Sequence, residues 1–186
     1  MIIYLTVLTL YSSFLVEFLV WPVPSEASSL HLMKKWNTNT AKQNIIYILI
    51  FIYNSVFTLV PLILSIYFLL INYGYEVTAI TFPGIIFAWA GRFFSLTGAW
   101  ILYHNAGHQL VTGSIFKWSR NPISLGLYTT FGGLVLIFPY PLLIPGWILF
   151  LLNLNYKVNL EENFLKEKYG MPYILYQKST PKYLFV

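Results

Sequence analysis

The chain has 186 residues, of which 58% are hydrophobic, 19% aromatic and only 9% charged. No soluble domain of this length could bury so much apolar side chain, so the composition indicates an all-α integral membrane protein. The formal net charge of +5 suits anionic headgroups rather than nucleic acid, because the basic residues flank apolar segments. The lack of cysteine excludes disulfides, thiolate metal sites and cysteine nucleophiles.

A hydrocarbon core about 30 Å thick takes roughly 20 helical residues to cross, and five stretches are predicted to do so: 2–21, 44–71, 79–104, 122–138 and 141–156. The first is interrupted by Glu17 and stops at Trp21-Pro22-Val23-Pro24, where proline removes donors. It has neither a basic start nor a small-residue cleavage site, so it reads as a retained span rather than a signal peptide. The second contains Pro61 and is long enough to cross while tilted or kinked.

The third carries Arg92 among Gly84, Ala88, Ser95 and Ala99, small residues at the spacing that tight helix packing in membranes uses. Arg92 is therefore expected to face the bundle, either paired with Glu17 or in contact with a substrate. The apolar run from Pro122 to Asn153 would measure about 45 Å as one straight helix, too long for the core. Pro139, Pro141 and Pro145 lie in its middle, which predicts two helices folded into a hairpin near Phe138–Pro141.

Short loops rich in Lys and Arg stay cytoplasmic. With the N-terminus outside, five spans place Lys34, Lys35, Lys42, Lys117, Arg120, Lys157, Lys166, Lys168, Lys178 and Lys182 on the cytoplasmic face and leave only Arg92 within a span. Four spans would put the C-terminal lysines on the wrong side.

Few residues are available for chemistry. His104 and His108 stand one helical turn apart, but two histidines do not close a metal site, and no metal is expected. Ser119-Arg120-Asn121-Pro122 reads as a helix start, with Asn at N-cap and Pro at the first helical position. Its free amides and Arg120 could hold a carboxylate or phosphate. Asn159-Leu160-Glu161-Glu162 reads as a capping box that opens an amphipathic helix at the cytoplasmic face and ends at Gly170. One glutamate suffices for the cap, which leaves the other for a ribose hydroxyl, an amine or a sulfonium.

These segments together resemble the isoprenylcysteine carboxyl methyltransferase and phospholipid methyltransferase group of integral membrane enzymes. The group's pattern is similar to H-x-L-V-T-S-G-x-Y, then R-[HN]-P-x-Y-x-G, a helical hairpin, and E-E-x-x-L-x-x-x-[FY]-G-x-x-Y-x-x-Y. The chain has His108-Gln109-Leu110-Val111-Thr112, Arg120-Asn121-Pro122 and Gly126, then Glu161-Glu162, Leu165, Tyr169-Gly170, Tyr173 and Tyr176. The resemblance implies a cofactor region over 108–186 that binds S-adenosylmethionine at the cytoplasmic face beneath the C-terminal helix. By position its lining would be His108, Gln109, Leu110, Val111, Phe116, Arg120, Asn121, Pro122, Ile123, Ser124, Glu161 and Glu162.

The acceptor it implies is lipophilic and resident in the membrane, a lipid or a lipidated protein, and foremost an isoprenylcysteine-like carboxylate. A phospholipid or other amphipathic amine is the alternative, and a lipid-binding scaffold of the same fold is a second. Where the carboxyl methyltransferases look to use an Arg four residues before the first Glu, this chain has Lys157, which keeps the charge but loses the two-donor fork. The family's Ser-Gly is inverted to Gly113-Ser114, its Tyr is Phe116, and the Tyr after Arg-Asn-Pro is Ser124.

Overall fold

A computed structural model describes residues 2–20, 41–71, 74, 78–105, 109–141 and 143–184, with the side chains of residues 18, 41–51 and 53–55 left out of the description. Among these residues the protein is all helical: α1 (Ile2–Val20), α2 (Ala41–Leu70), α3 (Thr81–His104), α4 (Pro122–Ile137), α5 (Leu143–Tyr169) and α6 (Met171–Ser179), with a 3-10 turn at Ser114–Lys117. The stop at Trp21–Pro24, His108, Lys34 and Lys35 lie outside the described residues.

The α3 helix is long and apolar enough to cross a membrane, and Ile2–Glu17, Val56–Leu70 and Pro122–Ile137 are shorter apolar stretches. Side chains such as Leu70 and Phe93 point outward, 78% and 73% exposed. Helices apolar on their outer as well as inner faces suit lipid rather than water as surroundings.

Small residues set the packing of α3 on α4. A Cβ added at Gly91 would lie 2.5 Å from the Gly126 carbonyl oxygen, and one added at Gly133 would lie 2.5 Å from the Gly84 carbonyl oxygen. The two backbones therefore touch, an approach that only side-chain-free positions permit. The same stripe turns Arg92 inward as expected. Fully buried, it donates to the Ser13 hydroxyl at 2.6 Å and the Ser13 carbonyl at 2.7 Å, ion-pairs with Glu17 and stacks on Phe14 at 3.9 Å. Pairing rather than exposure to a ligand accounts for this guanidinium, and it joins α1 to α3. Around it Ile3, Val7, Leu10, Phe57, Leu134 and Ile137 form the main apolar core.

Several helix boundaries have a local cause. Pro122 stands in the first turn of α4, where its missing N–H costs nothing. The turn after Ile137 reverses the chain through the Tyr140 amide on the Phe138 carbonyl, 2.7 Å, and the Leu143 amide on the Tyr140 carbonyl, 2.9 Å. Pro145 falls within the first turn of α5, and α2 runs unbroken through Pro61. Gly170, at φ +59°, separates α5 from α6, a backbone conformation that favours glycine.

One expectation is corrected. No helix starts at Asn159: α5 is continuous from Leu143 to Tyr169, so the predicted fifth span and the predicted amphipathic helix are one element. The reason is lateral bonding. The Asn159 side-chain oxygen accepts from the Lys182 ammonium at 2.7 Å and Glu162 is bonded to Arg120 and Asn121, so neither group turns back to cap an amide. The C-terminal helix is α6, beyond Gly170.

Candidate functional site

The polar residues gather where the loop before α4, the far half of α5 and the C-terminal segment meet. The α5 residues Asn155, Asn159 and Glu162 are spaced i, i+4, i+7 and so lie on one stripe of the helix. Glu162 is 7% exposed and accepts from Arg120 Nε at 3.1 Å, Asn121 Nδ2 at 3.0 Å and Gln177 Nε2 at 3.2 Å. Arg120 Nη1 donates onward to the carbonyls of Gln177 at 3.0 Å and Thr180 at 2.5 Å. A buried carboxylate is tolerable only when its partners satisfy it in this way.

The first and second polar stretches of the sequence thus meet directly, through Arg120, Asn121 and Glu162. Asn121 occupies the N-cap position of α4 but makes no side-chain cap; its amide goes to Glu162 and, at 3.3 Å, to the Lys182 carbonyl. The first-turn amides of Ile123 and Ser124 are left without a side-chain cap. The Ser124 hydroxyl, 8% exposed, has no hydrogen-bond partner among the described residues, which costs about 1–3 kcal/mol unless a ligand supplies one.

Other predicted residues are placed differently. Glu161 lies about 100° round the helix from Glu162, half-exposed, and pairs with Lys157 at 3.3 Å. Leu110 and Val111 are half-buried against an apolar cluster of Phe116, Tyr173 and Tyr176, with Leu165 beside them. The Tyr176 hydroxyl donates to the Phe116 carbonyl at 2.6 Å. Burial holds both tyrosines protonated, pushing Tyr176 up to about 12 and Tyr173 further. Gln109 is exposed, as is His104, whose ring lies tilted against Trp100 with centroids 4.7 Å apart. His108 is outside the described residues.

Position 114 records a departure from the family motif. Ser114 has φ +54°, while Gly113 has φ −89°. The motif's Ser-Gly order puts glycine where the backbone enters the left-handed region; the inverted order puts serine there, at a cost of about 1 kcal/mol.

The chain's last described residues were not legible as part of the site. Thr180–Tyr183 runs across the mouth of the helix hairpin. The Lys182 carbonyl accepts from Ser119 Oγ at 3.1 Å, and its ammonium donates to Asn155 Oδ1 at 2.8 Å and Asn159 Oδ1 at 2.7 Å. Tyr183 reaches Asn155 and the Tyr128 hydroxyl, each at 3.0 Å. Burial lowers the Lys182 ammonium and raises the Tyr183 phenol. The only sequence signal was the pair of asparagines a helical turn apart.

Near the hairpin bend, an apolar cleft lined by Phe87, Gly132, Pro139, Ile144 and Trp147 lies between α3, α4 and α5. The apolar cleft lies at the end of α4 and the start of α5, and the polar cluster at the opposite ends of the same two helices, an arrangement suited to an amphipathic molecule. Comparison with known families is decisive on the class: the model of the phospholipid methyltransferase family matches residues 60–171, more than half the chain.

The chain belongs to the phospholipid methyltransferase family.

The matched region runs from within α2 to the first residue of α6, so this phospholipid methyltransferase family member carries Arg120-Asn121-Pro122 and Glu161-Glu162 inside the family's own boundaries, while Thr180–Tyr183 lies beyond them. Family membership indicates a methyltransferase associated with membranes. No curated protein and no solved structure matches the chain.

Proposed function

We propose that the protein is an S-adenosylmethionine-dependent methyltransferase of five membrane spans, N-terminus outside, acting on a lipid amine at the cytoplasmic interface. The observation that carries this reading is the family match over residues 60–171, which encloses both polar stretches that meet at Glu162. The apolar outer faces of the helices and the segregation of Lys and Arg to one side support the topology.

The residues present suit the cofactor. The uncapped first turn of α4 and the unpartnered Ser124 hydroxyl fit its carboxylate end. Leu110 and Val111 offer aliphatic surface to its adenine, and the half-exposed carboxylate of Glu161 fits its ribose or ammonium. When bound, S-adenosylmethionine supplies an activated methyl group on a sulfonium. The protein's own task is then to position the acceptor amine, which reacts in its deprotonated form, against the sulfonium methyl and to exclude water.

The pairing of Lys157 supports our choice of acceptor. A prenylcysteine carboxylate, the acceptor that the motifs put first, needs a cation free to pair with it, and Lys157 already faces Glu161 at 3.3 Å. An amine acceptor has no such need. The test is methyl transfer from labelled S-adenosylmethionine by the purified chain in lipid discs, with phosphatidylethanolamine and farnesylcysteine compared side by side. We expect label in the phospholipid headgroup, from which base releases no labelled methanol. Label only in a base-labile farnesylcysteine ester, raised further in Lys157→Arg, would overturn the amine reading.

A further inference from the structure

Lys182 is held in an unusual way. Its ammonium donates to two neutral oxygens, Asn155 Oδ1 at 2.8 Å and Asn159 Oδ1 at 2.7 Å, and among the described residues no carboxylate lies within ion-pairing distance of it. The nearby charges cancel in pairs, Arg120 with Glu162 and Lys157 with Glu161, so the charge on Lys182 is left over. An ammonium has three donors and no acceptor. Two are used, the ammonium also lies 5.4 Å from the centre of the Tyr183 ring, and the same constraint fixes both asparagine oxygens toward it.

The amide nitrogens of Asn155 and Asn159 then have no partner among the described residues. Beside this single positive charge, two carboxamide NH2 groups are therefore donors without a partner among the described residues. Asn159 is exposed and Lys182 half-buried, so the cluster is open on one side. Such a donor set matches the oxygens of a phosphate.

The same stripe of α5 continues in the other direction as apolar surface. Ile148, Leu152, Asn155 and Asn159 are spaced by four, three and four residues, and Ile148 and Leu152 are 48% and 63% exposed. At 1.5 Å per residue, outward-facing hydrocarbon begins within about 5 Å of Asn155 along the axis and extends for another turn. Free phosphate would gain nothing from that surface, whereas an acyl chain would.

We propose that Lys182, with the amide groups of Asn155 and Asn159, forms an anion subsite that takes the headgroup phosphate of a membrane phospholipid, with an acyl chain along Ile148 and Leu152. The subsite rests on the methyl-transfer reading only for its purpose: it would hold the phosphodiester while the amine of the same headgroup is presented for reaction.

The test is equilibrium binding to the full chain in detergent, with three probes: dihexanoyl phosphatidylethanolamine, dihexanoylglycerol and inorganic phosphate. The wild type is expected to bind the phospholipid about tenfold more tightly than the neutral glyceride, and millimolar inorganic phosphate should not displace it. Lys182→Gln should abolish that preference and Lys182→Arg should keep it, with affinity for S-adenosylmethionine unchanged in both. No preference in the wild type, a preference that survives Lys182→Gln, or inorganic phosphate binding as tightly as the lipid would each overturn the subsite. Since the assay reads binding alone, a chain that shows the Lys182-dependent preference yet transfers no methyl group would sink the enzyme reading and leave the subsite standing.

Discussion

Adjacent glutamates on α5 are predicted to differ severalfold in what they contribute. Glu162 is buried and accepts from Arg120, Asn121 and Gln177. Replacing it by Ala strands Arg120 Nε and Gln177 Nε2 and leaves Asn121 only its longer bond to the Lys182 carbonyl. Removing one partner of a buried pair costs about 3–5 kcal/mol, and two stranded donors at roughly 1–3 kcal/mol each lead to the same range. Among the described residues Glu161 has one partner, Lys157, four residues earlier and with 40% of its side chain exposed. Such a pair is worth about 0.3–0.5 kcal/mol. Reversible unfolding of Glu162→Ala and Glu161→Ala in mixed micelles, followed by tryptophan fluorescence, measures both. Equal losses would refute the network, as would a Glu162→Ala loss under about 1 kcal/mol.

Three further outcomes can be checked in the same preparation. Ser114→Gly should stabilise the chain by about 0.5–1 kcal/mol in the same unfolding assay, by relieving the positive φ; a destabilised variant would contradict the strain. Gly91→Ala places a methyl 2.5 Å from the backbone of α4 and should cost upwards of 2 kcal/mol or prevent accumulation of folded protein, whereas Gly113→Ala, with nothing within 4 Å, should fall within about 0.5 kcal/mol of wild type. Alkali should unfold the end that carries α6: the unfolded chain loses tyrosine protons near the ordinary value of 10.0, while Tyr176 keeps its own to about 12, so stability is full below pH 10 and falls as pH rises toward 12. Tyr176→Phe should shallow that fall, and an unchanged alkaline limb would refute the assignment.

The legible parts of the fold were those with local causes. Proline at the start of α4, the proline-rich reversal after Ile137 and glycine at position 170 each restrict the backbone wherever they occur, and the small-residue stripe of α3 turned Arg92 toward Glu17. The α5 boundary was misread because Asn-x-x-Glu has the same spacing whether it caps a helix or forms part of a stripe inside one. Only the partners, Lys182 for Asn159 and Arg120 for Glu162, distinguish the two, and they lie 23 and 42 residues away in sequence. The segment Thr180–Tyr183 was illegible for the same reason: its bonds run through carbonyls and amides of distant elements, and nothing periodic marks it. Within the candidate site, the pairing of the 119–122 stretch with the glutamates was foreseeable from topology, but which glutamate faces Arg120 depends on a rotation of about 100° that no motif records.

Titration of S-adenosylmethionine into the purified chain in detergent, followed by calorimetry, tests the central claim most directly. Saturable binding at one site per chain, displaced by S-adenosylhomocysteine and weakened in Glu161→Gln, is the predicted result. A cooperatively folded preparation that gives no saturable heat would contradict it.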